Sequence, residues 1–174
     1  MRENIFTEGW EKSLDSQLLR YDRSKRRAYV CSPLGAKTDA ELLNNMRNAR
    51  AYMFYANKVM HLYARAPHAY MPVLLCDRIP AERAMGLHFG LQLLENSEIM
   101  LVCGSRISNG MKGEIEKAAA LNLEIIVFNH DIYYDVKKLV SQAGGSKYNV
   151  KFGQDDAFMA THPNFSHSED GEDT

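Results

Sequence analysis

The chain has 174 residues, 45% hydrophobic and 25% charged, the balance of one ordinary globular domain and not of a disordered or fibrous polypeptide. Lys plus Arg, 21, nearly cancel Asp plus Glu, 22, so no field over the whole surface recruits nucleic acid or an anionic membrane, and either partner needs a local patch. No apolar run reaches the roughly 18 residues that cross a bilayer, the polar N-terminus lacks the apolar stretch of a signal peptide, and three cysteines without a CxxC pair make no disulfide framework, so a reducing, cytoplasmic setting is expected.

Residues 1–27 read as a polar N-terminal extension closing on Arg20, Arg23, Lys25, Arg26 and Arg27. Such clusters can meet phosphates but are more often solvated lead-ins, and nucleic acid is not an expected partner. Trp10 to Leu19 suits a short helix that docks Trp10 on the domain or on a partner subunit. Ala28 to Cys31 reads as a strand, broken by Ser32-Pro33-Leu34-Gly35. Thr38 followed by Glu41 matches a capping box, in which each side chain satisfies a free backbone N–H at a helix start. The helix it opens carries Leu42, Met46, Ala49, Met53, Ala56 and Met60 at steps of four and three, an apolar stripe whose methionines suit core packing better than cofactor contact.

Tyr70 to Leu75 is expected to be the second strand. Cys76-Asp77-Arg78-Ile79-Pro80 then leads into a helix running to about Glu95, with Pro80 in its first turn. Ile99 to Cys103 is a continuous apolar run, the pattern of a strand buried on both faces, and it ends in Gly104. A helix over about Asn109 to Leu121, a strand over Glu124 to Phe128, a helix over about Tyr133 to Gln142 and an edge strand within Lys147 to Phe152 follow. Beyond Thr161 the chain is acidic and expected to be disordered. The alternation predicts right-handed crossovers and a doubly wound, flavodoxin- or Rossmann-like α/β fold. Its parallel sheet of four to five strands with flanking helices occupies residues 28–152, and residues 153–174 form a C-terminal extension.

Ligands of such sheets bind outside the carboxyl ends of the strands. That rule selects Ser32 to Lys37, Cys76 to Pro80 and Gly104 to Gly110. The third loop, Gly104-Ser105-Arg106-Ile107-Ser108-Asn109-Gly110-Met111, delivers a small polar turn into a helix N-terminus. The free N–H groups there attract anions, and Ser108 is placed as the cap. Arg106 sits where it can reach a phosphate. Gly110 and Glu114, four apart, share a helix face, while Met111, Ile115, Ala118 and Ala119 form the core stripe. A carboxylate then overlooks a spot cleared by glycine; the plainer alternative is a turn glycine and an acid favoured near a helix start. Cys31, Cys76 and Cys103 fall near expected strand ends but read as buried thiols, and neither metal nor cofactor is implied. His130 with Asp131 follows the fourth strand on the side where a ligand is expected.

The stretches Tyr29-Val30-Cys31-Ser32-Pro33, Ile99-Met100-Leu101-Val102-Cys103-Gly104 and Ser108-Asn109-Gly110-Met111-Lys112-Gly113-Glu114 resemble the nucleoside 2-deoxyribosyltransferase-like superfamily over roughly Ala28 to Gln142. The most similar branch is an uncharacterised one of phage and bacterial genomes. The resemblance implies an N-glycosidase or transferase acting on a nucleoside or nucleotide. Glu114 would attack the sugar C1′ to form a glycosyl-enzyme that water or a second base resolves. Tyr29 would position that carboxylate, Ser32 and Pro33 would lie near the base, and Ser108 and Gly110 near the sugar or a 5′-phosphate. Gly104, Arg106 and Met111 complete the expected ligand-binding set. Members carry an aspartate early in the helix before the third strand to help protonate the departing base; here that neighbourhood reads Gly86-Leu87-His88-Phe89-Gly90. Asp77 or Glu82 could replace it only if their loop folds over the cleft. A binding module that keeps the cleft without the chemistry is the alternative. Members are commonly oligomeric, and the Tyr- and Met-rich first long helix is the expected assembly surface.

Overall fold

The structure, a computed structural model, describes residues 24–76 and 78–153. Its described strands are β1 (Arg27–Cys31), β2 (Tyr63–Arg65), β3 (Ile99–Val102), β4 (Glu124–Val127) and β5 (Val150–Phe152). They form one wholly parallel sheet in the order β2-β1-β3-β4-β5, so the fold is a doubly wound α/β one. The helices are α1 (Asp39–Lys58), α2 (Met71–Leu74), α3 (Pro80–Glu95), α4 (Asn109–Ala120) and α5 (His130–Gln142), with 3₁₀ turns at Pro67–Ala69 and Lys147–Asn149. The expected Trp10 to Leu19 helix and the acidic tail lie outside the described residues.

The second strand is not where the apolar run Tyr70 to Leu75 placed it. Pro72 offers no N–H to a ladder and suits the first turn of a helix, so Met71–Leu74 coil into α2. The true β2 is three residues of Tyr-Ala-Arg, entered after His61, whose φ of 54° turns the chain sharply. Its edge is closed by a side chain. Asn57 Nδ2 donates to Ala64 O at 3.1 Å and Asn57 Oδ1 accepts from Ala64 N at 3.2 Å, so a buried carboxamide stands in for a missing strand.

The remaining elements follow their local chemistry. Thr38 Oγ1 accepts from Glu41 N at 3.1 Å, but Glu41 reaches back to Lys37 N, at 2.8 Å, and not to Thr38 as a strict capping box requires. Met46, Ala49, Met53 and Ala56 are buried as the stripe predicts, with Leu42 and Met60 half-buried at its ends. Helix α5 begins three residues before the expected start, because Asn129 Oδ1 accepts from Asp131 N at 2.8 Å and caps it.

The sheet separates two cores. One packs Ala49, Tyr52, Met53 and Ala56 of α1 on Ala28, Val30, Ile99 and Leu101. The other packs Met111, Ile115 and Ala118 of α4, Val136 and Val140 of α5 and Leu94 of α3 on Tyr29, Cys31, Met100, Val102 and Ile125. Arg26 pairs with Glu124 at 2.8 Å and Arg27 with Glu98 at 3.4 Å. This part of the basic cluster is therefore engaged at the amino ends of the strands.

The contact between α4 and α5 depends on Gly145. A Cβ there would lie 2.8 Å from Ala119 Cβ and 3.0 Å from Val140 Cγ1, too close without a shift of helix backbone. Gly145→Ala is expected to destabilise the fold by about 1–3 kcal/mol, the usual cost of overpacking, and Ala119→Gly in the same chain to recover part of it. Urea unfolding of the two variants measures both.

Candidate active site at the strand switch point

Strand β1 lies between β2, to which the chain runs next, and β3, to which it returns. The crossovers leave β1 in opposite directions, and a crevice opens outside its carboxyl end. A cleft of about 590 Å³ occupies that place, within the range of small-molecule sites. Pro67, Met71, Pro72 and Leu75 line it from the segment after β2, Gly86, Leu87, Gly90 and Leu91 from α3, and Ser108, Asn109, Gly110, Gly113, Glu114 and Lys117 from α4 and its cap.

Tyr29 and Glu114 meet in this cleft. Tyr29 is central in β1, opposite Arg65 and Met100, and its side chain is 1% exposed. Its hydroxyl donates to Glu114 Oε1 at 2.9 Å. Burial first, then the Glu114 carboxylate and Cys31, push the phenol well above its usual range, so it stays protonated and remains the donor. Glu114 Oε2 is buried with no hydrogen-bond partner. The nearby Cys31 thiol feels the same carboxylate: burial foremost and then Glu114 hold it well above its usual range. The thiol is thus kept neutral, though no formed hydrogen bond joins it to Oε2.

A residue not singled out from sequence completes the group. His68, in the turn after β2, places Nε2 3.6 Å from Glu114 Oε1 and Nδ1 2.8 Å from Ser32 O. The sequence pattern does not mark it, because the apolar run at residues 70–75 reads as the strand in place of the three-residue β2 that His68 follows. The His68 ring belongs to the carboxyl end of β2, where the binding rule would have directed attention had β2 been located.

The other expected residues divide. Ser108 caps α4, its Oγ accepting from Met111 N at 3.3 Å, while Met111 Sδ accepts from Ser108 N at 3.4 Å. Ser108 and Gly110 line the cleft, and Met111 is buried beneath it. Gly104, buried, turns the chain out of β3 with φ of 89°, a conformation that suits glycine. Ser32 and Pro33 are buried, with Ser32 Oγ unpartnered. Arg106 is not among the cleft-lining residues; its Nη2 donates to Gly35 O at 3.2 Å and stands 3.9 Å from Glu41 Oε1, bridging the loops after β3 and β1. Glu82 accepts from Cys76 N at 2.6 Å and lines a neighbouring hollow, while Asp77 lies outside the described residues. Among the described residues lining the cleft, Glu114 is the one carboxylic acid. His130 stacks on Phe152, centroids 3.9 Å apart.

Cysteine placement follows the sheet. Cys31 packs in one core and Cys103 in the other, whereas Cys76 is exposed, since no strand precedes it. One thiol of the three, Cys76, is expected to react within minutes with a chromogenic disulfide in the folded protein, and Cys31 and Cys103 only after denaturant is added; spectrophotometric thiol counting checks this.

No curated protein matches the sequence. A family defined as a domain of unknown function, DUF7768, matches residues 26–128, a span that runs from the start of β1 past β4 and contains Tyr29, His68, Glu114 and every other cleft-lining residue. The chain belongs to the DUF7768 family.

Proposed function

We propose that this protein cleaves or exchanges the N-glycosidic bond of a nucleoside, nucleotide or related molecule, with Glu114 as the nucleophile. The observation that carries the reading is the 2.9 Å hydrogen bond from the Tyr29 hydroxyl to Glu114 Oε1 inside the switch-point cleft. A carboxylate oxygen held in place is half of what a two-step glycosyl transfer requires. In the first step a Glu114 oxygen bonds to C1′ and the C1′–N bond breaks, its electron pair leaving with the base, which takes up a proton. In the second, water or another base attacks C1′ from the vacated face and releases the carboxylate, so the configuration is retained overall. The apolar wall of Met71, Pro72, Leu75, Leu87 and Leu91 suits a flat base, and the α4 amino end with Ser108 suits the sugar hydroxyls or a phosphate.

Incubation with a panel of deoxynucleosides, their 5′-monophosphates and NAD, followed by chromatography of free base, is expected to show release. Glu114→Ala should bring it below detection, and Tyr29→Phe should lower it about 10- to 100-fold, the worth of one hydrogen bond to a charged group. Folded protein that releases no base from any of these compounds would overturn the reading.

One observation favours a second reading, a nucleotide-binding module of the same fold that senses or sequesters its ligand. The α3 wall presents Gly86 and Gly90 to the cleft, where the resemblance calls for an aspartate, and general-acid help is commonly worth about 10² to 10⁴ in rate. Calorimetry that shows a nucleotide binding tightly without turnover, weakened more by Ser108→Ala than by Glu114→Gln, selects this alternative.

Self-association belongs to the same proposal, and α3 carries it where α1 was expected to. The methionines of the α1 stripe are buried or half-buried, but in α3 only Leu94 is buried while Met85, Leu87, Phe89, Leu91 and Leu93 are exposed. Met85, Phe89 and Leu93, four apart, share the side of α3 that does not line the cleft, an exposed apolar stripe of the kind that marks an interface. Light scattering should give a mass above that of one chain, and Phe89→Asp, on the side of α3 that does not line the cleft, should return it to one. A monomer at every concentration tested would remove this part of the proposal.

A further inference from the structure

We infer that His68 is a positioning residue for Glu114, its ring fixed by Ser32 O so that Nε2 stands against the carboxylate and aligns it; the inference rests on Glu114 being the nucleophile. The tautomer follows from the neighbours. Ser32 O only accepts, so Nδ1, 2.8 Å away, carries a proton. Nε2 then faces Glu114 Oε1 at 3.6 Å, and only a proton on that nitrogen makes the contact attractive, since a neutral ring would turn a lone pair toward the carboxylate.

The need for such a partner is visible in the carboxylate. Tyr29 supplies one hydrogen bond to Oε1, and Oε2 is buried with none, so the negative charge is thinly satisfied for its surroundings. Tyr29 and Cys31 of β1 stand beside the carboxylate, and Lys117 of α4 and Arg83 of α3, which makes an interaction of its own, line the same cleft. Tyr29 and Cys31 stay neutral, and Lys117 is committed to Glu95 at 2.9 Å.

Distance also separates this role from that of leaving-group acid. An acid and a nucleophile on opposite faces of a sugar stand about 5–5.5 Å apart in retaining enzymes. At 3.6 Å, Nε2 is on the nucleophile's side. His68 therefore acts through Glu114 and not on the departing base.

Two measurements on the full chain test this. In long-range nitrogen-15 spectra with labelled histidine, the neutral His68 ring at high pH should carry its proton on Nδ1, and Glu114→Gln should shift the Nε2 resonance. In base release, His68→Asn, which retains a donor toward Ser32 but cannot reach Glu114, should lower kcat about tenfold with KM within about twofold. His68→Gln, with a permanent N–H near the Nε2 position, should recover part of the loss. A proton found on Nε2 of the neutral ring, or a His68→Asn enzyme with the wild-type kcat, overturns the inference. A wild type that releases no base defeats the glycosyl reading instead, and the imidazole spectrum still decides whether Nε2 faces Glu114.

Discussion

The contact between the Tyr29 hydroxyl and Glu114 Oε1 is the constraint on which the rest of the site depends. It joins a side chain in the middle of β1 to one on the second turn of α4, 85 residues later. It can form only if β3 lies directly beside β1 and its crossover brings α4 over the face that Tyr29 occupies. The direction of the bond is not ambiguous. Burial and a neighbouring negative charge both oppose ionisation of the phenol, so Tyr29 donates and the carboxylate accepts. Packing holds the arrangement from below: Met111, Ile115 and Ala118 are fully buried under α4, which leaves Gly110, Gly113, Glu114 and Lys117 to the cleft.

That part of the molecule was legible in the sequence because local signals agreed there. An unbroken apolar run means a strand covered on both sides, a serine before a helical stripe means a cap, and a three-four stripe fixes which face Glu114 does not occupy. The agreement failed between residues 59 and 78. Three residues carry too little periodicity to announce a strand, and Tyr63-Ala64-Arg65 depends on β1 and on the Asn57 carboxamide, both distant in pattern if not in space. The more apolar Met-Pro-Val-Leu nearby looked like the strand and is a helical turn. The misplacement concealed His68, whose significance lies wholly in what it touches. Arg106 shows another limit: a cation in an anion-friendly loop reaches Gly35 and Glu41, contacts that chain order does not reveal.

Helix α3 combines two properties that the pattern alone could not separate. Its residues are apolar nearly all round, as in a helix buried on every side, yet Leu94 is its one buried residue. Toward the cleft it presents Gly86 and Gly90, and a Cβ on Gly90 would stand 3.6 Å from Tyr29 Oη. That is ordinary contact, so glycine here relieves no clash with the phenol; it leaves the cleft wider by the missing side chain. The cost is a wall of low intrinsic helix propensity, with two glycines in 16 residues.

Such a wall gains most from burial of its outer face. Covering Met85, Phe89 and Leu93 in a second copy removes apolar surface from water at about 25 cal/mol per Å², and the same event restrains the backbone that carries Gly86 and Gly90. On the proposed reading, assembly and the shape of the cleft are therefore coupled through one helix. A substitution on its solvent side changes the base-facing wall without touching Tyr29, His68 or Glu114. If the proposed assembly forms, its effect is one-sided: loss of the partner would loosen the α3 wall and leave the carboxylate clamp, which is built from β1, α4 and the turn after β2, in place.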